Sequence, residues 1–184
     1  MKLTSRHKER FVRTVHKFQG KAVGFRVDTI RLPDGRPRNR EYLTHPGAVG
    51  VLALAGPKIL LVKQFRYPTG RFTLEIPAGK LSQGEDPRKC VARELEEETG
   101  FVARRTRKLL SFWPTAAFSD EVIHLYVAEG LRATQMNPDD DEFIELLKVT
   151  PRQVENYIRN GVIQDSKTII AYLAWKVRLS STKA

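Results

Sequence analysis

The first regular pattern along the chain is an alternation of apolar and polar side chains that begins just after residue 20. Val23, Phe25 and Val27 alternate with small or charged residues, and this period of two predicts a β-strand. Residues 33–35, Pro-Asp-Gly, predict a turn because Pro fixes its own φ and Gly tolerates a positive one. A returning strand over residues 38–44 would complete an antiparallel hairpin. An isolated hairpin is marginally stable in water, so this one is expected to pack against the main domain or a second subunit.

Apolar runs of strand length recur after the hairpin, whereas residues 1–20 are highly charged and indicate a frayed or helical lead-in. Buried strands are expected at residues 48–55, 59–65, 73–76, 109–113, 122–128 and 142–149. Thr150 and Pro151 predict the start of a helix that Gly161 ends, with Val154, Tyr157 and Ile158 on its inner face. A last helix is expected after Asp165, burying Ile169, Ile170, Leu173 and Val177. Strands and helices in this order favour a layered α/β domain.

One further helix is predicted between Asp86 and Gly100. Asp86 can serve as the N-cap and Pro87 as the first helical residue, while Gly100 is suited to a left-handed C-terminal cap. Val91 and Leu95 lie four residues apart on one apolar face, with Ala92 beside them.

The opposite face of this helix collects negative charge in an unfavourable place. Glu94, Glu97 and Glu98 are three and four residues apart, so their carboxylates repel one another, and they approach the negative end of the helix dipole. A bound cation would compensate for both effects, and hard oxygen ligands suit Mg²⁺ or Mn²⁺ better than zinc. The alternative is a solvated acidic face on which Arg93 pairs with Glu97.

The residues around the three glutamates match a family pattern. Gly79, Glu85, Arg93-Glu94-Leu95, Glu97-Glu98 and Gly100-Phe101 have the spacing of the Nudix box, and the chain therefore resembles a Nudix pyrophosphohydrolase. The resemblance implies an α/β/α sandwich with a mixed sheet over residues 47–184. An N-terminal antiparallel β-hairpin subdomain over residues 1–46 would serve in dimerisation.

The same resemblance assigns roles within the box. Glu94 and Glu98 match the principal metal ligands, Glu97 a further ligand that also acts in catalysis, and the Ala78 carbonyl a ligand in some relatives. Arg93 matches the catalytic-site residue that orients these carboxylates. Two or three Mg²⁺ ions, with Mn²⁺ as an alternative, would neutralise phosphate charge and acidify the attacking water. Glu85 could simply support the start of the helix.

Segments outside the box resemble the ADP-ribose pyrophosphatase branch: residues 23–49, Gln64-Phe65-Arg66, residues 74–79, residues 118–124 and residues 128–131. By motif match, Arg40, Arg66 and Glu75 would contact the substrate, and arginine suits phosphate because its fork binds two oxygens. In that branch the N-terminal hairpin is exchanged between two subunits, which implies a homodimer with shared active sites.

These relatives take the catalytic base from a loop after the box, which corresponds here to residues 139–145. Glu142 is the first candidate and Asp140 the second, because a general base must reach the attacking water; a solvated acidic turn is the alternative. Ala116 stands where the branch usually has proline, so a nucleoside diphosphate sugar other than ADP-ribose remains an alternative substrate.

The composition of the chain bears on its cellular location and on the charge of its partners. No apolar run is long enough to cross a bilayer, the first ten residues lack the apolar core of a signal peptide, and Cys90 is the single cysteine, which together favour a cytoplasmic protein. The net charge is +11, concentrated in residues 1–50 and 151–184, and could attract an anionic substrate or nucleic acid.

The leading hypothesis is Mg²⁺-dependent hydrolysis of ADP-ribose, or a related nucleotide sugar, to AMP and ribose 5-phosphate. Pyrophosphohydrolysis of RNA 5′ ends or dinucleotides is the alternative, although the basic segments lack the interleaved aromatic residues of a single-strand surface, so nucleic acid is a less favoured partner. A non-catalytic ligand-sensing domain is less favoured because all three glutamates are present.

Overall fold

The computed structural model describes residues 7–140 and 142–181, and it divides the chain into two compact units. The first unit contains the chain up to Pro46 together with residues 113–121, and the second contains residues 47–112 and the chain from Val122 onwards. Each unit has its own sheet.

The first unit is a three-stranded antiparallel sheet of β1 (Arg10–Gln19), β2 (Gly24–Arg31) and β3 (Pro37–Thr44), in that order. The predicted hairpin is β2 and β3, joined by a turn in which Gly35 has a φ of 91°. β1 lies within residues 1–20, where a frayed or helical lead-in was expected, and that expectation is wrong for the described part; residues 1–6 lie outside the described residues. β1 contains two register irregularities, and all ten of its residues are exposed. It therefore lacks the alternation of buried apolar and exposed polar residues that would have predicted a strand.

A charged group is buried within this unit. Asp28 is 5% exposed, and its carboxylate accepts hydrogen bonds from the Tyr42 hydroxyl at 2.7 Å and from Arg26 at 3.1 Å. Burial alone would raise the pKa of Asp28, but hydrogen bonds from Tyr42, Thr14 and Arg26 outweigh it and hold this pKa below its ordinary value. Asp28 therefore stays ionised and ties β2 to β3.

The second unit is built on a seven-stranded sheet. Its strands are β4 (Ala48–Ala55), β5 (Lys58–Arg66), β6 (Arg71–Glu75), β7 (Ala78–Lys80), β8 (Phe101–Phe112), β9 (Ile123–Ala133) and β10 (Glu145–Val149). The order is β10-β5-β4-β9-β8, with β6 paired to β5 and β7 to β4. β4 and β9 are parallel while the other pairs are antiparallel, so the sheet is mixed, as expected.

Helices cover both faces of this sheet. α1 (Pro87–Thr99) packs with Val49, Val51 and Ala53 of β4 in one hydrophobic cluster. α2 (Pro151–Arg159) and α3 (Ser166–Ser181) pack on the other face in a second cluster that includes Leu52 of β4. A strand buried on both faces explains the continuous apolar run of residues 48–55. The expected α/β/α sandwich is confirmed.

Several helix and strand details differ from the expectations. Leu173 and Val177 of α3 are 52% and 66% exposed, and Ala171 and Tyr172 are buried instead, because the helix is rotated from the predicted face. Ala92 of α1 is exposed. β8 begins at Phe101 rather than at residue 109, since its charged residues lie on an edge strand and break the apolar pattern. None of the helices in the described part of the chain is both long and apolar enough to cross a membrane.

Candidate active site

The acidic helix forms between the two caps that its sequence predicts. The Asp86 side chain accepts a hydrogen bond from the Arg88 amide at 2.7 Å, and Pro87 opens α1. At the other end, Gly100 has a φ of 67° and its amide donates to the Glu96 carbonyl. A Cβ on Gly100 would also lie 2.9 Å from the Met136 nitrogen, so the position requires glycine for two reasons.

Two of the three glutamates are buried against strand β7, which precedes the helix. Glu94 and Glu98 are 8% and 2% exposed, while Glu97 is half-buried. Oε2 of Glu98 accepts a hydrogen bond from the Ala78 amide at 3.0 Å. The Glu94 carboxylate fills the space where a side chain on Gly79 would begin, so a Cβ there would overlap it. β7 and the glutamates of α1 are therefore closely packed against each other.

Arg93 joins the carboxylates at the rim of the site. Its Nη1 donates to Glu94 at 2.7 Å and to Glu97 at 2.9 Å, and its Nε and Nη2 donate to Glu85 at 3.3 Å. Glu85 also accepts from the Ser82 amide at 2.9 Å, so it fixes both the loop and the arginine. The Arg93–Glu97 pair that a solvated helix face would make is present, but only as one contact of this larger network.

The buried carboxylates are electrostatically strained. Burial, helped by the charges of Glu94 and Glu142, raises the pKa of Glu98 to about 8 in spite of the opposing hydrogen bond from the Ala78 amide. Burial also raises the pKa of Glu94, where Arg93 opposes the shift and Glu97 and Glu142 add to it. Glu142 therefore lies within electrostatic reach of both carboxylates. Asp140 is exposed, and Asp141 of the same loop lies outside the described residues.

The donor set suits a divalent cation. Carboxylate oxygens concentrated in a region of low exposure, with a glycine that leaves room for one of them, fit a hard metal ion. Within residues 7–140 and 142–181 there is no ready-made group of three or more carboxylate, imidazole or thiol side chains that could hold a metal. Arg93 and the Ala78 amide engage the carboxylate oxygens that a cation would otherwise bind.

A second polar cluster surrounds Glu75, which is 2% exposed. Arg66 donates to it from Nε at 2.8 Å and from Nη2 at 2.7 Å, and Lys167 at the start of α3 contacts the same carboxylate. Burial alone would raise the pKa of Glu75, but Arg66 and Lys167 outweigh it and hold this pKa far below its ordinary value. Sequence reasoning missed Lys167, because nothing in the sequence links α3 to residue 75.

Arg40, the remaining expected substrate contact, belongs to the first unit. Its guanidinium pairs with Glu9, and it lines a cavity of about 510 Å³ together with Phe11, Arg26, Asp28, Ile30 and Tyr42. Cys90 is buried at the back of α1, as expected of a packed side chain, and burial raises the pKa of its thiol to about 12.

Comparison with known proteins gives consistent matches. The sequence profile of the NUDIX domain matches residues 44–172. A methanol dehydrogenase activator from Bacillus methanolicus is 45% identical over 166 residues, covering 89% of this chain and 90% of the relative. An ADP-ribose pyrophosphatase from Bacillus subtilis is 41% identical over 171 residues, covering 90% and 92%. The crystal structure of an ADP compounds hydrolase superposes over 98% of both chains with a TM-score of 0.86 at 16% identity.

Proposed function

Because this chain belongs to the Nudix family, we propose that it hydrolyses the diphosphate of ADP-ribose, or of a closely related nucleoside diphosphate sugar, with Mg²⁺ as its metal and Mn²⁺ as a substitute. A water oxygen bonds to one phosphorus, the bond from that phosphorus to the bridging oxygen breaks, and the bridging oxygen leaves on the other phosphate. The products from ADP-ribose are AMP and ribose 5-phosphate. The buried pair Glu94 and Glu98, with Glu142 in electrostatic reach, is the observation that carries this proposal.

Nudix hydrolases generally need divalent metal ions, and the donors for them here would be the carboxylates of Glu94, Glu97 and Glu98 with the carbonyl of Ala78. Bound at these oxygens, Mg²⁺ would neutralise charge on the diphosphate and on the leaving phosphate. Arg93 supports this arrangement by fixing Glu94 and Glu97 through Nη1. Glu85 in turn holds Arg93, so the loop and α1 keep the ligands in one place.

Glu142 is the proposed general base. It acts on Glu94 and Glu98 through its charge, which supports a position near the attacking water. Its carboxylate would take the proton that water loses as the new bond to phosphorus forms. Asp140 is the second candidate for this role.

Arg66 and Arg40 are the proposed contacts to substrate phosphate or ribose, with Glu75 holding Arg66. Arg66 is 40% exposed and bound to a buried carboxylate, which suits an anion-binding group. Arg40 is 48% exposed. Ala116 lies exposed in a turn of the first unit, and a panel of nucleotide sugars tests which of them the protein prefers.

We also propose a homodimer formed through the sheet of the first unit. All ten residues of β1 are exposed, including Phe11, Val12, Val15 and Phe18, and a monomer would leave this apolar surface in water. A partner subunit at this sheet would bury these side chains and could complete a shared active site. Division of the chain into a dimerisation segment of residues 1–46 and a catalytic domain of residues 47–184 follows from this proposal.

The deciding experiment is a substrate panel of nucleotide sugars, dinucleotides, nucleoside triphosphates and capped RNA, assayed for phosphate products with Mg²⁺. We expect ADP-ribose or a related sugar to be preferred, and Glu98→Gln to lower kcat by about 10³-fold or more because a metal ligand is lost. The matched control is Glu96→Gln, an exposed glutamate of the same helix, which should leave turnover unchanged. Wild-type turnover in Glu98→Gln would refute the metal assignment, and preference for capped RNA would favour the alternative.

A second candidate function is regulation of an alcohol dehydrogenase. The observation that favours it is the 45% identity to a methanol dehydrogenase activator over 89% of this chain. Its test is the rate of purified Bacillus methanolicus methanol dehydrogenase with and without this protein. A rise with wild type that is absent with Glu98→Gln would connect activation to hydrolysis, and no rise would exclude that dehydrogenase as a target.

A further inference from the structure

Lys167 directs its ammonium group toward carboxylates rather than into solvent. Nζ donates to Oδ1 of Asp165 at 2.9 Å and contacts Oε2 of Glu75, and the side chain is only 12% exposed. A cation in the first turn of a helix lies at the unfavourable end of the dipole, and fixing a lysine loses rotamer entropy. The stability of α3 therefore does not explain this position, whereas the charge of Glu75 does.

The start of α3 is fixed to the end of β6. Oδ2 of Asp165 accepts hydrogen bonds from the Thr168 amide at 2.9 Å and from the Thr168 hydroxyl at 2.6 Å. The same hydroxyl accepts from the Ile76 amide at 2.8 Å, one residue after Glu75. These hydrogen bonds of Asp165, Thr168 and Ile76 consequently hold Lys167 at a set distance from Glu75, and none of these three residues is a proposed substrate contact.

Arg66 shares the Glu75 carboxylate but points its other end outward. Nε and Nη2 bind Glu75 as a fork, whereas Nη1 has no hydrogen-bond partner among residues 7–140 and 142–181. Glu75 is 3% exposed in its side chain and Arg66 is 40% exposed. Two N–H groups of a restrained guanidinium are thus available to an anion.

Glu75 needs more than Arg66 to keep its orientation. Oε1 accepts from the Thr73 hydroxyl at 2.6 Å as well as from Arg66, and Oε2 is shared between Arg66 and Lys167. Removing Lys167 would leave one oxygen with a single partner and allow the carboxylate plane to rotate. The arginine fork would rotate with it, because both of its bonds end on that plane.

We propose that Lys167 is a positioning residue, which fixes the anion-binding guanidinium of Arg66 through the carboxylate of Glu75. This inference rests on the proposed function, since it takes Arg66 as a contact to the substrate diphosphate. Lys167 itself does not touch the substrate.

Lys167→Met tests this directly, because Met keeps the stem of the side chain and removes the charge. We expect the KM for ADP-ribose to rise about tenfold while kcat stays within about twofold, since Arg66 holds ground state and transition state alike. Lys167→Arg should restore KM to near the wild-type value. The control is Lys176→Met on the same helix, which breaks only a half-exposed pair with Glu155 and should leave KM unchanged. An unchanged KM in Lys167→Met overturns the inference.

A double variant separates positioning from direct contact. If Lys167 acts only through Arg66, then Lys167→Met added to Arg66→Ala should change KM by less than about twofold. A further tenfold rise would overturn the inference, because Lys167 would then contact substrate or support the fold independently.

The final readout does not depend on turnover. Hydrogen exchange of the Arg66 Nε–H, followed by ¹⁵N NMR and assigned by its loss in Arg66→Ala, should be slow in wild type. We expect it to be about tenfold faster in Lys167→Met, because this N–H bonds the carboxylate that Lys167 holds. Lys176→Met should not change it. Equal exchange in Lys167→Met and wild type overturns the inference whatever the activity, whereas a wild-type protein inactive on every diphosphate refutes the proposed function alone.

Discussion

Glu98 is a carboxylate in surroundings that water cannot screen. It is 2% exposed, its only hydrogen bond among the described residues comes from the Ala78 amide, and the nearby carboxylates of Glu94 and Glu142 add like charge. These conditions raise its pKa to about 8, mainly through burial. A divalent cation bound at these carboxylates would reverse them by supplying opposite charge. The cluster is therefore electrostatically consistent when a metal is bound.

At Glu142 the expected effect is on the chemical step. Glu142→Gln should lower kcat by about 10²- to 10⁴-fold, the usual contribution of a general base, while binding of Mg²⁺ measured by calorimetry stays close to that of wild type. Glu145→Gln is the control and should leave kcat unchanged, because Glu145 of β10 is exposed and pairs only with Lys63 of β5 among the ion pairs of the described residues. An unaltered kcat would transfer the base role to another residue, with Asp140 tested next.

A substitution at Gly79 is expected to act through steric overlap and not through a change of charge. Gly79→Ala introduces a Cβ that overlaps the carboxylate of Glu94, the proposed metal ligand, so this carboxylate must move and activity should fall by about 10²-fold. Gly84→Ala, in the loop between β7 and α1, is the comparison. Gly84 has a φ of 74° with open space around it, so the change should lower stability by about 1 kcal/mol and leave kcat unchanged. Equal activity in both variants would contradict the close approach of Glu94.

Among the elements, β6 and α3 depend on each other through one buried charge cluster. Glu75 is the last residue of β6, Lys167 lies in the first turn of α3, and the Thr168 hydroxyl of α3 accepts a hydrogen bond from the Ile76 amide just after β6. Breaking a buried ion pair on one side leaves an uncompensated charge, which is more damaging than the loss of a surface pair. This junction of β6 and α3, formed by Glu75 and Lys167, therefore both orients Arg66 and contributes to the stability of the second unit.

This junction predicts sensitivity to acid. The pKa of Glu75 is held below its unfolded value because Arg66 and Lys167 outweigh the effect of burial. Its ionised form thus stabilises the fold at neutral pH, and this contribution declines as the pH falls below about 4, the unfolded value. Glu75→Gln should lower the free energy of unfolding by about 3 kcal/mol at pH 7.

Urea unfolding at pH 7, 5 and 3 measures the effect. The difference between wild type and Glu75→Gln should shrink between pH 5 and pH 3. Glu145→Gln removes an exposed pair and should differ from wild type by less than about 1 kcal/mol at every pH. A difference for Glu75→Gln that does not vary with pH would contradict the assignment of an ionised, paired Glu75.

For the whole molecule, the dimer proposed to form through the exposed sheet of β1 predicts active sites that two subunits share. If Arg40 serves the active site of its partner, inactive Arg40→Ala and Glu98→Gln chains should restore one intact site when they pair. When the two variants are co-expressed in equal amounts and pair at random, about half of the dimers contain one chain of each. Each mixed dimer has one intact site of two, so the mixture should regain about a quarter of wild-type activity. The control pair is Glu94→Gln with Glu98→Gln, two changes on one helix, which should regain nothing.

Sedimentation of the wild-type protein accompanies this experiment. A dimer at micromolar concentration without recovery of activity would mean that each chain builds its own site. A monomer would contradict the proposed role of the first unit.

The sequence by itself determined the local parts of this protein. Caps at Asp86 and Gly100 set the bounds of α1, the Pro-Asp-Gly turn set the hairpin, and the spacing of the glutamates with their flanking glycines indicated the family, because each of these depends on neighbours a few residues away. Tertiary structure alone decided the rest. The strand character of β1 and β8, the buried face of α3, the approach of Glu94 to Gly79 and the contact of Lys167 with Glu75 all depend on which surfaces meet across long stretches of chain. The local pattern of apolar and polar residues does not encode contacts between distant segments, so these features are determined only by tertiary packing and by the pairing of buried charges.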